Sequence, residues 1–544
     1  MKSSSMMLAA VLSGALAAVS VPVAAGAPGD APPRDIEQLW EIIQKQQQQL
    51  EEQRREIEAL KAGQQATRDQ VAETRSKAEA VEQSVAQADR KAEAAVTAVE
   101  NIDSGENWSD RVTIGGYGSV RAEASDLDEQ NDTFTFRRFV LTADAQVGNR
   151  LQTYMELEFE RFAELELEKE ISAGADEFEA VQVVEGTSES EIAIEQAWAR
   201  YRLTDTVNLD IGGLLVPLGR FNLNHDDNQW NLTRRSLVDK GVPVLPASAA
   251  WPELGLGISG AIPFNGGRGL IDYRLYVMNG AQLDLELEEE VESEIEDGEI
   301  EVKSKLEAEF EPTQGGFGTD LNDNKAIAGR VAIRPSPAHE IGFSGYFGRY
   351  TPDFLVDEDV WSLGLDGLHE IGGLEMEYQL IHTDWGNTGK VARSFAATAF
   401  GHEGENAEIA LGGNSLADSR TGYWIELRYP LWWSALNDTF LARDFEDPSL
   451  EPTFRFEQVF YNDQLTSLDF ADGAVTSIGR LDDARLNRAT LGLAYRPVAN
   501  WVFSLAGEYT WTDENSLNGL TNFLAAQPNE DDALTISTGV AFGF

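Results

Sequence analysis

The stretch FTFRRFVLTADAQV, residues 134–147, alternates between polar and apolar side chains from Arg138 to Val147, with Val140 as the one exception. The apolar set shares one parity and the polar set the other: Phe139, Leu141, Ala143, Ala145 and Val147 against Arg138, Thr142, Asp144 and Gln146. Because successive side chains of a β-strand point to opposite faces, the pattern predicts a strand with one apolar and one polar face.

About sixteen such segments, each roughly ten residues long, follow one another from Arg111 to the C-terminus. Their connections alternate between tight turns, such as VGNR, LTDT and SPAH, and long links near residues 171–190, 218–251, 281–323, 384–419, 463–483 and 513–531. This alternation is typical of an all-β, 16-stranded antiparallel transmembrane β-barrel, here over residues 111–544, with short periplasmic turns and long outer loops. The link from Leu431 to Pro452 is too long for a periplasmic turn, so a further strand or short helix there stays open.

A soluble β-sandwich would also alternate, and three features favour the barrel. After the first 27 residues no segment approaches about 18 consecutive apolar residues, so any crossing of a bilayer must use strands. Aromatic residues stand at segment ends, among them Tyr429, Trp432, Trp433, Trp501 and Trp511. The last segment, ALTISTGVAFGF, ends in an aromatic residue and places apolar side chains on one face and small ones on the other.

The N-terminus predicts export. Lys2 precedes the apolar run from Leu8 to Val19, and small residues end near Ala27, which indicates a signal peptide over residues 1–27. From Ile36 to Ile102 the positions at alternating spacings of three and four are apolar or small, except for Gln46, Gln53 and Gln64. This repeat predicts an α-helical coiled coil over residues 34–103, about 100 Å long, which lies in the periplasm and favours a homotrimer; the alternative is a single solvated helix.

Composition narrows the function classes. The chain has a net charge of −51, five histidines and no cysteine. It contains no Gly-x-Ser-x-Gly, Cys-x-x-Cys or phosphate-loop motif, so neither an enzymatic activity nor a nucleic-acid partner is expected.

Extending the strand parity along the barrel places eight arginines on the polar, inward face: Arg121, Arg138, Arg200, Arg202, Arg330, Arg428, Arg455 and Arg488. Arginines around an aqueous constriction concentrate anions and bind carboxylate or phosphate groups with two parallel hydrogen bonds. The alternative is that they pair with wall carboxylates such as Glu123, Asp144, Glu426 and Glu457 and brace the barrel.

The stretch from Val216 to Gly260, with the RRF triplet Arg137–Phe139, resembles the phosphate-selective porin O/P superfamily. With the heptad repeat added, the chain is most similar to DcaP-type trimeric outer-membrane porins. The resemblance implies a trimer of sixteen-stranded pores, a third outer loop folded into each pore, and contact between an anionic solute and the loop residues Arg220, Arg234 and Arg235. Wall arginines such as Arg138 and Arg200 would face that loop.

Two stretches of the sequence contain acidic side chains of the type that bind cations. His225, Asp226 and Asp227 are ligand types, but three consecutive residues rarely converge on one ion, so we expect a polar loop and no bound metal. LDLELEEEVESEIEDGEIEVKSKLEAEFE, residues 283–311, predicts a β-hairpin about Asp297-Gly298, with Leu285 opposite Phe310 and Ile295 opposite Ile300. Its glutamates, with those of Tyr154–Ile171, form outer loops that could hold calcium or magnesium shared with lipopolysaccharide. No other cofactor is expected.

Two functions remain in competition. The first is a porin of the bacterial outer membrane, through which small hydrophilic, anionic solutes of dicarboxylate or phosphate type diffuse passively. The second is a structural anchor, in which the barrel fixes the coiled coil that tethers the envelope.

Overall fold

The computed structural model describes residues 111–126, 133–174, 177–239, 244–296, 299–315, 317, 320–400, 407–411, 416–471, 474–482, 484–512 and 532–544. The chain divides into two units, Met1–Glu106 and Asn107–Phe544. The first unit, with the predicted signal peptide (1–27) and coiled coil (34–103), lies outside the described residues, and both remain predictions.

Twenty strands lie in the described part of the second unit. They are β1 Val112–Ser125, β2 Thr133–Val147, β3 Leu151–Gly174, β4 Glu177–Arg202, β5 Asn208–Leu215, β6 Pro252–Phe264, β7 Gly269–Met278, β8 Gln282–Glu296, β9 Glu299–Thr313, β10 Ala326–Ser336, β11 His339–Arg349, β12 Asp359–Ile371, β13 Leu374–Trp385, β14 Ala407–Leu411, β15 Ala417–Arg428, β16 Ser449–Ala471, β17 Ala474–Leu481, β18 Ala484–Arg496, β19 Trp501–Thr512 and β20 Asp532–Gly543. The helix α1 spans Thr388–Phe400, and 3-10 turns span Phe221–Leu223, Asp227–Gln229, Asn265–Gly267 and Ser434–Leu436.

Sixteen of these strands form one closed antiparallel barrel. Each pairs with the next along the chain, except that β7 pairs with β10, β13 with β15 and β16 with β18, so that β8, β9, β14 and β17 stand outside the ring. The ring closes where β1 pairs with β20, with Tyr117 opposite Gly543. Closure leaves no unpaired sheet edge, and the predicted sixteen-stranded barrel is confirmed.

The two faces of the barrel differ as the alternation predicts. Outward side chains such as Leu491 (67% exposed) and Ile536 (56% exposed) are apolar and uncovered, whereas the inward Arg138 and Glu457 are buried. An isolated soluble domain rarely leaves such a continuous apolar surface uncovered, so this face fits contact with lipid hydrocarbon. None of the helices in the described part of the chain is long and apolar enough to span a bilayer.

The loop between β5 and β6, residues 216–251, folds into the barrel and is called the lumen loop below. It is the third connection on the side of the barrel opposite the short turns, after those between β1 and β2 and between β3 and β4. Its apolar side chains pack with inward wall residues into one buried cluster, which includes Leu218, Phe221, Leu237, Val244 and Trp424. The barrel interior at this level is therefore largely filled.

The acidic hairpin is β8 and β9, and its backbone register is the predicted one: Leu285 lies opposite Phe310 and Ile295 opposite Ile300. Its apolar base packs on neighbouring segments, since Leu283 and Phe310 are buried and the ring of Phe310 lies 4.9 Å from that of Phe395 in α1.

Two other predicted connections differ from the expectation. The strands β3 and β4 pair as far as Gly174 and Glu177, so the link predicted at residues 171–190 is mostly strand. The open segment from Leu431 to Pro452 holds one 3-10 turn, Ser434–Leu436, and the start of β16.

Candidate functional site: the lumen loop and the arginines of the wall

The first turn of the lumen loop is fixed by wall side chains. Gly219 adopts a positive φ of 72°, and its N–H donates to Ser344 Oγ at 3.0 Å. The N–H groups of Arg220 and Phe221 both donate to Gln379 Oε1, at 2.7 and 3.0 Å. A side chain at Gly219 would collide with Gln379, so glycine is required both for the conformation and for the close approach.

The end of the loop is held by a buried carboxylate, Asp239. It accepts hydrogen bonds from Ser236 Oγ, from Gln379 Nε2 at 2.5 Å and from Trp424 Nε1 at 2.9 Å. Burial raises the pKa of Asp239 to about 6, against the effect of these donors. Leu237 N–H also donates to Glu457 Oε2 at 2.6 Å, so both loop ends are tied to the wall.

The middle of the loop inserts Asp227 into a group of arginines. Its carboxylate accepts a hydrogen bond from Ser119 Oγ at 2.6 Å. Arg137, Arg138 and Arg235 each place a guanidinium nitrogen 3.6–3.8 Å from it. Burial opposes ionisation of Asp227, but the three arginines outweigh burial and hold its pKa well below the usual range.

Eight of the predicted arginines, five of the wall and the three of the lumen loop, lie inside the barrel, and each is paired with a carboxylate. The pairs are Arg121–Glu123 at 2.6 Å, Arg138–Glu158 at 2.7 Å, Arg200–Asp210 at 2.6 Å, Arg220–Glu377 at 2.6 Å, Arg234–Glu123, Arg235–Asp227 at 3.6 Å, Arg330–Glu340 at 2.8 Å and Arg428–Glu377 at 2.9 Å. Most of the inward positive charge is thus neutralised by fixed acids, as the bracing alternative supposes.

The structure brings these arginines together in two groups and leaves one apart. Arg121, Arg138, Arg234 and Arg235 gather on the β1–β2 side of the lumen loop; Arg220, Arg330 and Arg428 share Glu340 and Glu377 near β10–β15. Arg200 stands apart on β4, where it forms two hydrogen bonds to Asp210 and lies 4.8 Å from the ring of Trp198.

Access to water separates the group further. The side chain of Arg200 is 29% exposed, whereas those of Arg138 and Arg330 are 2% and 5% exposed. A solute that enters the barrel therefore meets Arg200, while Arg138 and Arg330 are sealed within ion pairs.

Sequence parity missed two inward arginines. Arg137 should point outward by alternation, but a register shift opposite Ser119 and Val120 makes it an extra residue of β2, and it turns inward towards Asp227. Arg274 of β7 lies between half-buried Tyr273 and exposed Leu275 in sequence and shares the inward parity of buried Tyr276. Strict alternation from Tyr276 would have found it.

Arg274 differs from the other inward arginines in its contacts. It is half-buried and forms no hydrogen bond or ion pair within 4.0 Å with any residue that the structure describes. Its cross-strand partner in β10 is Arg330, so two like charges lie side by side on the same face. Such a pair is destabilising unless its charges are balanced, and Glu340 and Asp366 balance only the charge of Arg330.

Beside the lumen loop, a cavity of about 770 Å³ is lined by residues of the loop, the wall and the turns, including Asn231, Glu375, Arg428, Glu451 and Arg496. Arg428 and Arg496 are both only partly covered there. Polar lining on this scale fits a water-filled vestibule.

No protein-family model matches the chain. A search of curated proteins finds an uncharacterized protein of Aquifex aeolicus (strain VF5), 25% identical over 224 residues. The aligned segment spans 41% of this chain and 41% of that relative.

Among solved structures, the anion-selective porin from Comamonas acidovorans is 11% identical, with a TM-score of 0.44, over 80% of this chain and 99% of the other. The outer membrane channel DcaP of Acinetobacter baumannii is 9% identical, with a TM-score of 0.39, over 79% and 97%. Salmonella typhi OmpF, in complex with daunomycin, is 10% identical, with a TM-score of 0.43, over 80% and 97%. These likenesses are weak, so the function is inferred below from the chain's own residues.

Proposed function

We propose that the chain is a porin of the bacterial outer membrane that lets small hydrophilic solutes diffuse passively, with a preference for anions. The observation that carries this proposal is the closed sixteen-stranded barrel with an apolar, uncovered outside and a charged inside. A lumen-facing charge at mid-membrane would cost about 2–4 kcal/mol if it faced lipid instead, so the two faces have distinct surroundings.

The resemblance to the O/P superfamily and to DcaP-type porins fits the lumen loop, which narrows the interior. We infer a homotrimer assembled through the barrel and the predicted coiled coil, with the coil in the periplasm. Outer-membrane lipid and lipopolysaccharide would surround the barrel, and the solutes would be dicarboxylates or phosphate-like anions.

Anion preference rests on Arg274 and Arg200. Arg274 has no fixed carboxylate partner among the described residues, and Arg200 keeps part of its guanidinium in water. A small dianion beside Arg274 would relieve its repulsion with Arg330, and the planar guanidinium binds carboxylate or phosphate oxygens in pairs. The arginines sealed by Glu158, Asp227 and Asp366 position the loop and add little to selectivity.

Planar-bilayer recordings of the purified full-length protein test the proposal. We expect discrete open steps, and reversal potentials in a salt gradient that favour the anion. Arg200→Gln and Arg274→Gln should each move the reversal potential towards cations. Arg443→Gln is the matched control, because Arg443 is exposed on the turn after β15 and pairs with Asp444.

An absence of conductance from the purified assembly would overturn the porin function and leave the envelope anchor. Conductance with unchanged reversal potentials in both arginine variants would keep the pore and discard the arginines.

A further inference from the structure

Three ligand-type side chains meet where the lumen loop touches the wall. Glu156 of β3, Glu195 of β4 and His225 of the loop are all buried, and their ligand atoms all lie within 4.8 Å of one another. Glu195 faces the lumen because it is an extra residue of β4: Glu156 pairs with Gln196, but Leu157 pairs with Ile194. We propose that Glu156, Glu195 and His225 form a binding site for a divalent transition-metal cation of the zinc class.

The first support is a buried carboxylate oxygen without a hydrogen-bond partner. Glu195 is only 4% exposed, and its Oε2 has no hydrogen-bond partner among the described residues. Its Oε1 lies 2.7 Å from His225 Nε2, so a cation, either a proton or a metal ion, must hold these two groups together. Buried carboxylates are normally satisfied, so the unpartnered oxygen fits a metal ion better than a single shared proton.

The orientation of His225 is that of a metal ligand. Its Nδ1 lies 3.1 Å from the carbonyl oxygen of Asn222, which can only accept, so Nδ1 carries the proton. When Nε2 carries no proton, its lone pair is directed towards Glu195. Ligating histidines usually donate their second ring N–H to a carbonyl or carboxylate, which fixes the ring in this way.

Glu156 is also prepared as a ligand. Gln196 Nε2 and Tyr154 Oη donate to its Oε2, at 2.6 and 3.2 Å, so Oε1 remains for an ion. Asp226 Oδ1 lies 3.8 Å from His225 Nε2, and the Asp226 side chain is 38% exposed. It offers a fourth ligand atom and a route from water.

The charge balance and spacing fit a dication. Within the described residues, no arginine or lysine lies within 4.0 Å of Glu156 or Glu195, because Arg138 pairs with Glu158 and Arg235 with Asp227. Tetrahedral zinc holds nitrogen and oxygen ligands about 2.0–2.2 Å away, and hence about 3.3 Å from one another. Small shifts of the side chains would reach that spacing. One imidazole with carboxylates is a zinc-type donor set.

The competing state is a proton on Nε2 that joins His225 and Glu195 as an ion pair. Burial disfavours that proton, but the Glu195 carboxylate outweighs burial and raises the pKa of His225 to about 9. A metal ion would displace this proton and join the loop to β3 and β4. This inference goes beyond the proposed function, and the binding assay below requires no transport.

The test uses the full-length protein in detergent, stripped with a chelator and then exposed to Zn²⁺. We expect wild type to retain one tightly held Zn²⁺ per chain after size exclusion, measured by elemental analysis. His225→Gln and Glu195→Gln should each weaken binding by roughly 100-fold or more in calorimetry. His369→Gln is the control, because His339 and His369 form a histidine pair away from the proposed site, with their Nδ1 atoms 3.3 Å apart.

A second readout is zinc K-edge absorption of the wild-type complex, which does not depend on whether a variant folds. One imidazole with oxygen ligands at about 2.0 Å supports the site. Two imidazoles, loss of zinc only in His369→Gln, or no retained zinc in wild type would each overturn it.

Discussion

Two parts of the same inner wall use arginine differently. Under the lumen loop, Arg138 and Arg235 are removed from water and held by Glu158 and Asp227. On the β4–β7 wall, Arg200 is partly wet and Arg274 has no fixed partner among the described residues. The comparison teaches that inward charge alone does not identify a solute contact. Buried pairs hold the loop, whereas only the wetted arginines have charge to offer a passing ion.

The sharpest test of the loop side is Asp227→Ala. It would leave Arg137, Arg138 and Arg235 without their shared carboxylate, and breaking a buried ion pair costs about 3–5 kcal/mol. We expect a lower temperature of thermal unfolding and noisier, larger open-channel currents. Asp353→Ala is the control, because Asp353 is half-exposed and pairs with Arg349 at 3.3 Å. Equal losses in the two variants would contradict a special role for Asp227.

Gly219→Ala should loosen the start of the loop by a smaller amount. The added Cβ would lie 2.5 Å from Gln379 Oε1 at a φ of 72°. Gly266→Ala is a matched control, because Gly266 has a φ of 67° and the Cβ of an alanine there would meet no described atom within 4 Å. The left-handed conformation costs both variants about 1–2 kcal/mol, so any excess in Gly219→Ala measures the collision. Equal unfolding free energies in the two variants would show that the Gln379 side chain moves aside and that the collision costs nothing.

The wall side is tested by comparing Arg274→Gln with Arg138→Gln. Both remove one inward positive charge, yet we expect the reversal potential to move mainly in Arg274→Gln and stability to fall mainly in Arg138→Gln. The reason is that the Arg138 guanidinium is sealed by Glu158, whereas Arg274 has no such partner. Bilayer recordings and thermal unfolding of the same preparations measure both effects. The opposite assignment would remove the distinction between the two regions.

The smallest effect concerns the outer acidic hairpin. If its glutamates hold calcium or magnesium, deletion of residues 283–311 should reduce the difference in melting temperature between Mg²⁺ and chelator. Exposed carboxylates bind these cations weakly, so we expect a change of about 1 kcal/mol or less. Monovalent salt at equal ionic strength controls for screening. If Mg²⁺ stabilises both forms equally, the hairpin is not the cation site.

Much of the fold was readable from the sequence because a strand repeats every two residues. The sixteen segments, the inward parity of Arg138 and Arg330 and the register of β8 and β9 all follow from that period. Arg137 was missed because a β-bulge breaks the period locally. The inward position of Glu195 was not predicted for the same reason, since its bulge lies inside a strand that otherwise alternates.

The partners of the inward residues were not readable. The sequence separates Arg220 from Glu340 and Glu377 by more than a hundred residues, yet the loop brings them within 2.6–2.9 Å. From the sequence, His225, Asp226 and Asp227 are not expected to bind a metal, because consecutive residues rarely converge on one ion. In the structure the convergent groups are instead Glu156 and Glu195, from two other strands. A one-dimensional pattern contains no term for such distances.

Outside the bulges at Arg137 and Glu195, the sequence by itself determined which strand residues point out of the barrel and which point into it, because alternation is a local property of an extended backbone. Tertiary structure alone decided which inward charges form ion pairs with one another and which remain exposed to water. That choice depends on how the lumen loop crosses the barrel and brings fixed carboxylates to the wall arginines. Coulombic attraction is strong only over a few ångströms, so small differences in the loop's path separate a brace from a binding group.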